Sequence, residues 1–331
     1  MTLENQTLQH GQPAWDSPSP DPAKAPAAQE GPTLDEFRRL TAAEQDSDFI
    51  AMESKTYLQD AWSRLKRNRL AMFGLIVVSL IILTAIIGPM VSPYAYDEFS
   101  SSKNAMPSAQ HIFGTDKFGR DIFTRIMYGA RISLSVGIAA AMINLVIGIV
   151  YGGIAGYLGG RVDLYMMRVV DILYSIPTML YVILIMLMFG ANIISIMIGI
   201  CVSSWVGMAR IVRSQVMSLK QQEFAMAAQV MGASTMRILV RHLILNSMGP
   251  IIVTVTLMIP QAIFTEAFLS FVGVGISAPQ ASWGTLAQNA KQVIDTYPVQ
   301  VIWPVAAICV TMLSLNFVGD GLTEALDPKK K

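Results

Sequence analysis

Charge is scarce in this 331-residue chain: Asp, Glu, Lys and Arg together make up 14% of it, where an ordinary soluble domain carries about 25%. With 53% hydrophobic residues and a mean hydropathy of +0.48, a soluble globular domain is excluded. Two cysteines exclude a disulfide scaffold. Both of them, Cys201 and Cys309, fall in apolar runs, where a free thiol acts as a small apolar side chain. The 24 glycines show no three-residue period, so a collagen-like chain is excluded as well. Nucleotide-binding signatures are missing: there is no GxxxxGKS or GxxxxGKT, and no GxGxxG after a strand pattern. The three histidines, His10, His111 and His242, fall in segments that the topology below keeps apart. No HExxH and no nucleophile–base pair stands at membrane depth. No catalytic, cofactor-binding or metal-ligating residue is therefore expected, and nucleic acid is not an expected partner.

What is present is unevenly spread. Residues 1–60 carry four basic and eleven acidic side chains, a balance of −7, whereas the other 271 carry 20 and 12, a balance of +8. Six prolines stand in the first 32 residues with almost no apolar run, so residues 1–55 read as a disordered acidic tail. No apolar stretch follows a basic start, so no signal peptide is expected. Residues 71–91 then run for 21 residues without a charge. As a helix that is about 31 Å, matching a hydrocarbon core of about 30 Å.

Further spans are expected at 132–158, at 169–189 with Asp171 and Pro177 inside, at 193–209, at 251–274 with Pro260 and Glu266 inside, and at 301–318. Interior prolines are tolerable where neighbouring helices satisfy the freed carbonyls. The run at 193–209 is short, and Arg210 and Arg213 extend it by snorkelling. The expected fold is an all-α polytopic membrane protein with six transmembrane helices. With the N-terminus inside, fourteen basic residues near span ends face the cytoplasm and six face the other side. Both termini are thus expected to be cytoplasmic.

Residues 56–70 read as an amphipathic helix on the cytoplasmic leaflet, with Trp62 at headgroup level; a partner-binding helix is the rival reading. Gly148, Gly152, Gly156 and Gly160 recur every fourth residue and share a face that another backbone can approach closely. Asp171 and Glu266 are the acids placed within spans. Intramembrane acids point to function, yet each lies near a span end, so an ion-pair or interfacial role and a translocation role both stand.

Residues 210–247, between the fourth and fifth spans, are too long for a turn. Helix-forming residues lead to Gly232, followed by Ala233 and Ser234 and a second helical stretch: helix, glycine break, helix, projecting from the membrane. Ala227 and Ala228, read as exposed, offer a partner's groove a small-residue surface. The run MAAQVMG at 226–232 resembles the EAAxxxG coupling motif of ABC-importer permeases. More narrowly, the chain resembles the C-type permeases of oligopeptide and dipeptide importers from about residue 62 onward. Its strings FGTDKFGRDIFTRIMYGARISLSVG (113–137), SWVGMARIVR (204–213), EAFLSFVGVG (266–275) and FVGDGLTEALDPK (317–329) carry that likeness. Two positions depart from the pattern. The coupling glutamate's place is taken by Met226, with Glu223 three residues earlier on nearly the same face. The proline usual later in the motif is Leu245, so the second helix is expected to run on without a break.

The resemblance implies a type I ABC importer permease fold, with residues 71–331 as the permease domain and 214–247 as its coupling segment. It implies a peptide importer of the bacterial inner membrane, with a second homologous permease chain, two ABC ATPase subunits holding ATP and Mg, and an extracytoplasmic peptide-binding protein. Residues 221–234 would form the coupling helix, with Glu223, Met226, Ala227, Ala228, Gly232, Ala233 and Ser234 meeting the ATPase. Gly114, Asp116, Gly119, Arg120 and Asp121, in the outside loop at 92–131, would dock the binding protein or else fix the loop through turns and ion pairs; 277–300 is a second docking candidate. The rival class is an ion-gradient-driven secondary transporter, which wants buried acids and bases along a central path. Only Asp171 and Glu266 serve it, and the projecting segment would lack a purpose.

Overall fold

A computed structural model describes residues 57–276 and 279–326. The tail expected at 1–55 and the basic end at 327–331 lie outside the described residues. The chain opens with α1, Tyr57–Arg67, and α2, Arg69–Val91. Asn68 separates them: it is extended, and its side chain accepts from the Ala71 N–H at 3.1 Å, capping α2. α1 leaves Trp62 exposed, while its Leu65 packs on Ala71 and Ala325.

Next comes α3, Ile122–Leu158, 37 residues long. It starts ten residues before the span expected at 132, and at 1.5 Å per residue it reaches about 55 Å. Asp121 caps it, accepting from the Thr124 N–H at 2.8 Å. Two arginines lie in its first turns and reach backbone carbonyls, although Arg125 Nε is left buried without a hydrogen-bond partner. Arg125 donates to Tyr96 O at 2.9 Å, and Arg131 donates to the Ala85 and Ile86 carbonyls.

The third expected span is broken. α4, Gly160–Ser175, and α5, Thr178–Phe189, meet at Ile176 and Pro177 with a bend of 79°. Proline lacks the N–H that the Leu173 carbonyl needs, and it drives the residue before it out of the helical region; Ile176 sits at φ −99°, ψ 126°. The Tyr181 hydroxyl takes the place of the missing donor, reaching Leu173 O at 3.3 Å. Pro260 and Pro304, by contrast, stay inside continuous helices.

α6, Ile193–Lys220, runs eleven residues beyond its expected end at 209. Arg210 and Arg213 lie within it and pair with Asp171 and Asp163 of α4, rather than marking a span end. After the short α7, Glu223–Val230, a helical turn at Thr235–Arg237 leads through a π turn, Ile238–Ile244, and a 3-10 turn, Leu245–Ser247, into α8, Met248–Val272. The helix does run on past Leu245, but with two changes of winding. α9, Trp283–Lys291, and α10, Val299–Leu326, complete the chain. The stretches α2, α3, α6, Thr235–Val272 and α10 are long and apolar enough to cross a bilayer, and the bent α4–α5 pair makes six if taken as one span. Among the described residues there is no strand beyond one isolated bridge, Thr115–Asp121.

The bundle is organised by α3 against α6. A Cβ on Gly148 would lie 2.6 Å from Met208 Cβ, one on Gly152 would strike the Ala209 carbonyl, and one on Gly156 would sit 2.7 Å from the Arg213 carbonyl. Three members of the glycine ladder therefore bring two helix backbones into contact, while Gly160 opens α4 with space around it. Gly152→Leu should destabilise the protein by about 3 kcal/mol or more through overpacking, whereas Gly207→Ala, with nothing near its Cβ position, should cost nothing. Thermal unfolding of the two purified variants in detergent checks this, and equal melting temperatures would contradict it.

Candidate functional site

The seven coupling candidates come together in one short projection. α7 ends at Val230 and is followed by Gly232, which takes φ +80°. Ala233 N–H bonds back to Ala228 O at 3.1 Å and Gly232 N–H to Gln229 O at 3.0 Å, a Schellman stop that requires a left-handed residue at this position. Ser234 then caps the following turn through the Arg237 N–H at 3.4 Å. Ala225 and Ala228 are buried in a core cluster with Val212, Val216, Ile238 and Leu243. The expected exposed alanine pair is thereby split: Ala227 faces out, and Ala228 seats the helix, because residues three apart share a face and adjacent ones do not. What the projection presents is larger and more apolar than the sequence suggested: Phe224, Met226, Val230, Met231 and, past the break, Met236 are all exposed. Glu223 is exposed beside them on the first turn.

At the other end, Gly114, Asp116, Gly119, Arg120 and Asp121 form an internal lattice. Asp116 Oδ1 accepts from the N–H groups of Phe118 and Arg120 at 2.8 and 3.0 Å, while Oδ2 accepts from Arg120 Nε at 2.7 Å. Asp121 receives Thr124 on one oxygen and lies 3.0 Å from His111 Nδ1 on the other. Gly114 and Gly119 sit at φ +81° and +82°, packed under the carbonyls of Ala105 and Ser100. The loop is tied to the start of α10 by Gln300, which donates to Asn104 and to the Thr115 carbonyl at 3.1 Å, and by Phe113 stacked 3.9 Å from Trp303. These five residues hold the loop together, and the charged side chains among them are buried.

The two intramembrane acids differ. Asp171 is exposed and pairs with Arg210 at 2.8 Å. Glu266 is fully buried where α3 and α8 meet, accepting from the hydroxyls of Ser133 at 3.0 Å and Ser270 at 2.9 Å. Ser133 also receives the Trp283 N–H at 3.4 Å, which links this carboxyl group to α9.

Neither acid lines the cavity of about 740 Å³ bounded by α3, the α4–α5 break, α6 and α8. Its polar side chains include Asn144, Thr178, Ser203, Ser204, Thr254, Gln261 and Thr265, together with the Tyr174 hydroxyl. The sequence reading passed over them because uncharged polar residues scarcely lower the hydropathy of a span. The signal was nonetheless present in two carboxamides, Asn144 and Gln261, standing inside runs otherwise made of apolar and small residues.

Residues 148–331 match the family described as binding-protein-dependent transport system inner membrane component. Residues 56–108 match the N-terminal TM domain of oligopeptide transport permease C. The oligopeptide transport system permease protein OppC of Bacillus subtilis is 47% identical over 294 residues, 88% of this chain and 96% of that one. The dipeptide transport system permease protein DppC of the same organism is 48% identical, covering 86% of this chain and 90% of its own. OppC of Escherichia coli K12 is 45% identical over 87% of this chain and 96% of its own.

Removing the carboxylate at the centre of the loop lattice, in Asp116→Ala, should leave Arg120 without its partner in a buried setting, at a cost of about 3–5 kcal/mol. Trypsin should then cut the detergent-purified variant rapidly at Lys103 and Lys117, and cleavage as slow as in the unaltered protein would refute the lattice's role.

Proposed function

This chain belongs to the family of binding-protein-dependent transport system inner membrane components, and from that premise we propose that it is one permease half of an ATP-driven importer of oligopeptides or dipeptides. The observation that carries the mechanism is the projection Glu223–Val230 with its Gly232 stop. An apolar, methionine-rich surface is held out from the bundle by two alanines buried in the bundle's own core. Such a surface suits a groove on a partner chain, where fully desolvated apolar anchors dominate binding.

In this reading the projection and both termini face the cytoplasm, and the membrane is the bacterial inner membrane. ATP and Mg belong to two ATPase subunits, one of which receives α7, and the permease chain itself performs no hydrolysis. A second permease chain completes the pathway. A peptide-binding protein docks at the opposite end, on the surface of the loop before α3 and the segment around α9. Closure of the ATPases would displace α7 and, with it, the core that joins α6 to Thr235–Val272. Two packed arrangements of those helices, biased by a ligand bound elsewhere, give alternating access.

Glu223 stands where a charge can meet the ATPase, on the face shared with Met226. Glu223→Lys should weaken recovery of the ATPase in pull-downs of the permease by about tenfold, as reversal of an interfacial charge does. ATPase recovered in unchanged yield would reject that contact. Gly232→Asp is the sharper test. Nothing lies within 4 Å of a Cβ there, and aspartate tolerates a left-handed backbone, so the variant should insert and fold. A carboxylate facing the partner's groove should cut ATP-dependent peptide uptake at least about tenfold. Uptake at the normal rate by that variant would sink the coupling role.

A further inference from the structure

The cavity between α3, the α4–α5 break, α6 and α8 has features that packing alone does not account for. Asn144 is 1% exposed, and its Oδ1 has no hydrogen-bond partner. A buried acceptor left unpaired costs about 1–3 kcal/mol, and native interiors rarely keep one without a use. Across the space stands Gln261, exposed, on α8. Ser203 and Thr178 are engaged with each other at 2.9 Å, and Thr265 donates to its own helix at Gln261 O. Of the polar groups left to meet a ligand, which include the hydroxyls of Tyr174 and Ser204, the two carboxamides are the ones that carry a separate donor and acceptor.

The backbone offers a second, independent observation. The α4–α5 break at Ile176–Pro177 lines the same cavity. Non-helical backbone at membrane depth is tolerated where it borders a cavity holding polar matter, not lipid.

The walls also define a chemistry. None of the residues lining the cavity is charged, and Met179, Met208 and Met258 are among the apolar ones. A cationic or anionic wall would retain one class of side chain and repel another. Neutral carboxamides pair with the N–H and C=O groups that every peptide unit repeats, whatever its side chains, and methionines repack around whatever those side chains are. A volume of about 740 Å³ falls in the range of small-ligand sites.

Resting on the reading of this chain as a peptide permease, we infer that the cavity is where it contacts its substrate, and that Asn144 and Gln261 recognise the peptide backbone by hydrogen bonds that do not depend on sequence. Neutrality of the wall is then a specificity device: it admits acidic and basic peptides alike. Gln261 can be altered without disturbing the core, since it is exposed, whereas Asn144 is enclosed.

The experiment uses cells carrying the complete transporter and two labelled probes, Ala-Lys-Ala and Ala-Glu-Ala, with uptake of each normalised to the amount of permease in the membrane. Gln261→Glu should raise the ratio of Ala-Lys-Ala to Ala-Glu-Ala uptake at least about fivefold, and Gln261→Lys should lower it by a similar factor, because the binding protein that filters first is the same in every strain. Asn144→Leu, isosteric but without the acceptor, should slow both peptides together and leave their ratio unchanged. Ratios in both Gln261 variants equal to that of the unaltered protein would overturn the assignment of the cavity while leaving the permease function standing. Failure of the unaltered transporter to take up either probe would remove the peptide-permease reading on which the inference rests. A change in the ratio produced equally by Glu and Lys at position 261 would point to a structural effect and would also overturn it.

Discussion

The contact of α3 with α6 is the constraint on which the other features of the bundle depend. Gly148, Gly152 and Gly156 carry no side chain, so the two backbones meet at Met208, Ala209 and Arg213. In lipid there is no hydrophobic gain from bringing apolar helices together, and close packing of small residues supplies the association instead. Once α6 is fixed on α3, its remaining faces are committed. One carries Arg210 and Arg213 to Asp171 and Asp163 of α4, with Tyr151 of α3 donating to the Met166 carbonyl at 2.9 Å in the same corner. Another, with Ser203, Ser204 and Gly207, walls the cavity. The end of α6 passes beyond α3, where Lys220 bonds the Tyr157 carbonyl at 2.7 Å, and there it delivers α7.

Charge is placed where it can be answered. Asp171 and Asp163 are matched by arginines one helix away, near one end of the bundle. Asp116, Arg120 and Asp121 answer one another or the backbone at the other end. Among the described residues Glu266 forms no ion pair. Two serine hydroxyls hold it instead, one from a neighbouring helix, and through Ser133 and the Trp283 N–H it joins α8, α3 and α9. An acid in that position serves as a polar rivet, and it is not among the side chains that line the cavity. The ion-gradient scheme, which needs its acids along a central path, gains nothing from either residue.

The spans were legible because lipid demands an unbroken apolar run of known length, and residues 71–91 meet that demand plainly. The glycine face was legible for the same kind of reason, since a period of four maps directly onto a helix surface. Boundaries were lost wherever a charge found a local partner. Arg125 and Arg131 lie on backbone carbonyls, and Arg210 and Arg213 lie on aspartates, so helices continue past residues that a hydropathy reading takes as ends. Pro177 and Pro260 look alike in sequence. What distinguishes them is the Tyr181 hydroxyl, which replaces the hydrogen bond that Pro177 withholds and so makes a sharp break affordable. The helix–glycine–helix pattern at 223–237 was legible in the sequence, but the inward turn of Ala228 depends on a core that the sequence does not display. The cavity was missed altogether, because neutral carboxamides leave little trace in composition.

The projection and the cavity share side chains, which gives the proposed coupling a packed route between them. Met208 and Met258 line the cavity and also belong to the cluster in which Ala225 and Ala228 are seated. A close-packed core transmits displacement because it has little free volume to absorb it. Compliance is confined to particular points of the backbone: the π turn at Ile238–Ile244 on one side of the cluster and the Ile176–Pro177 break on the other. Between them α6 is an uninterrupted helix of 28 residues, locked to α3 by its glycine contacts. A push on α7 therefore meets a stiff element and two pliable ones. It must be taken up at the π turn, where the helix entering α8 can change its winding, or at the break, where α4 can swing against α5. Both of these points border the cavity or the helix that carries Gln261, so under the proposed coupling a push on the projection would be relieved by reshaping the cavity wall.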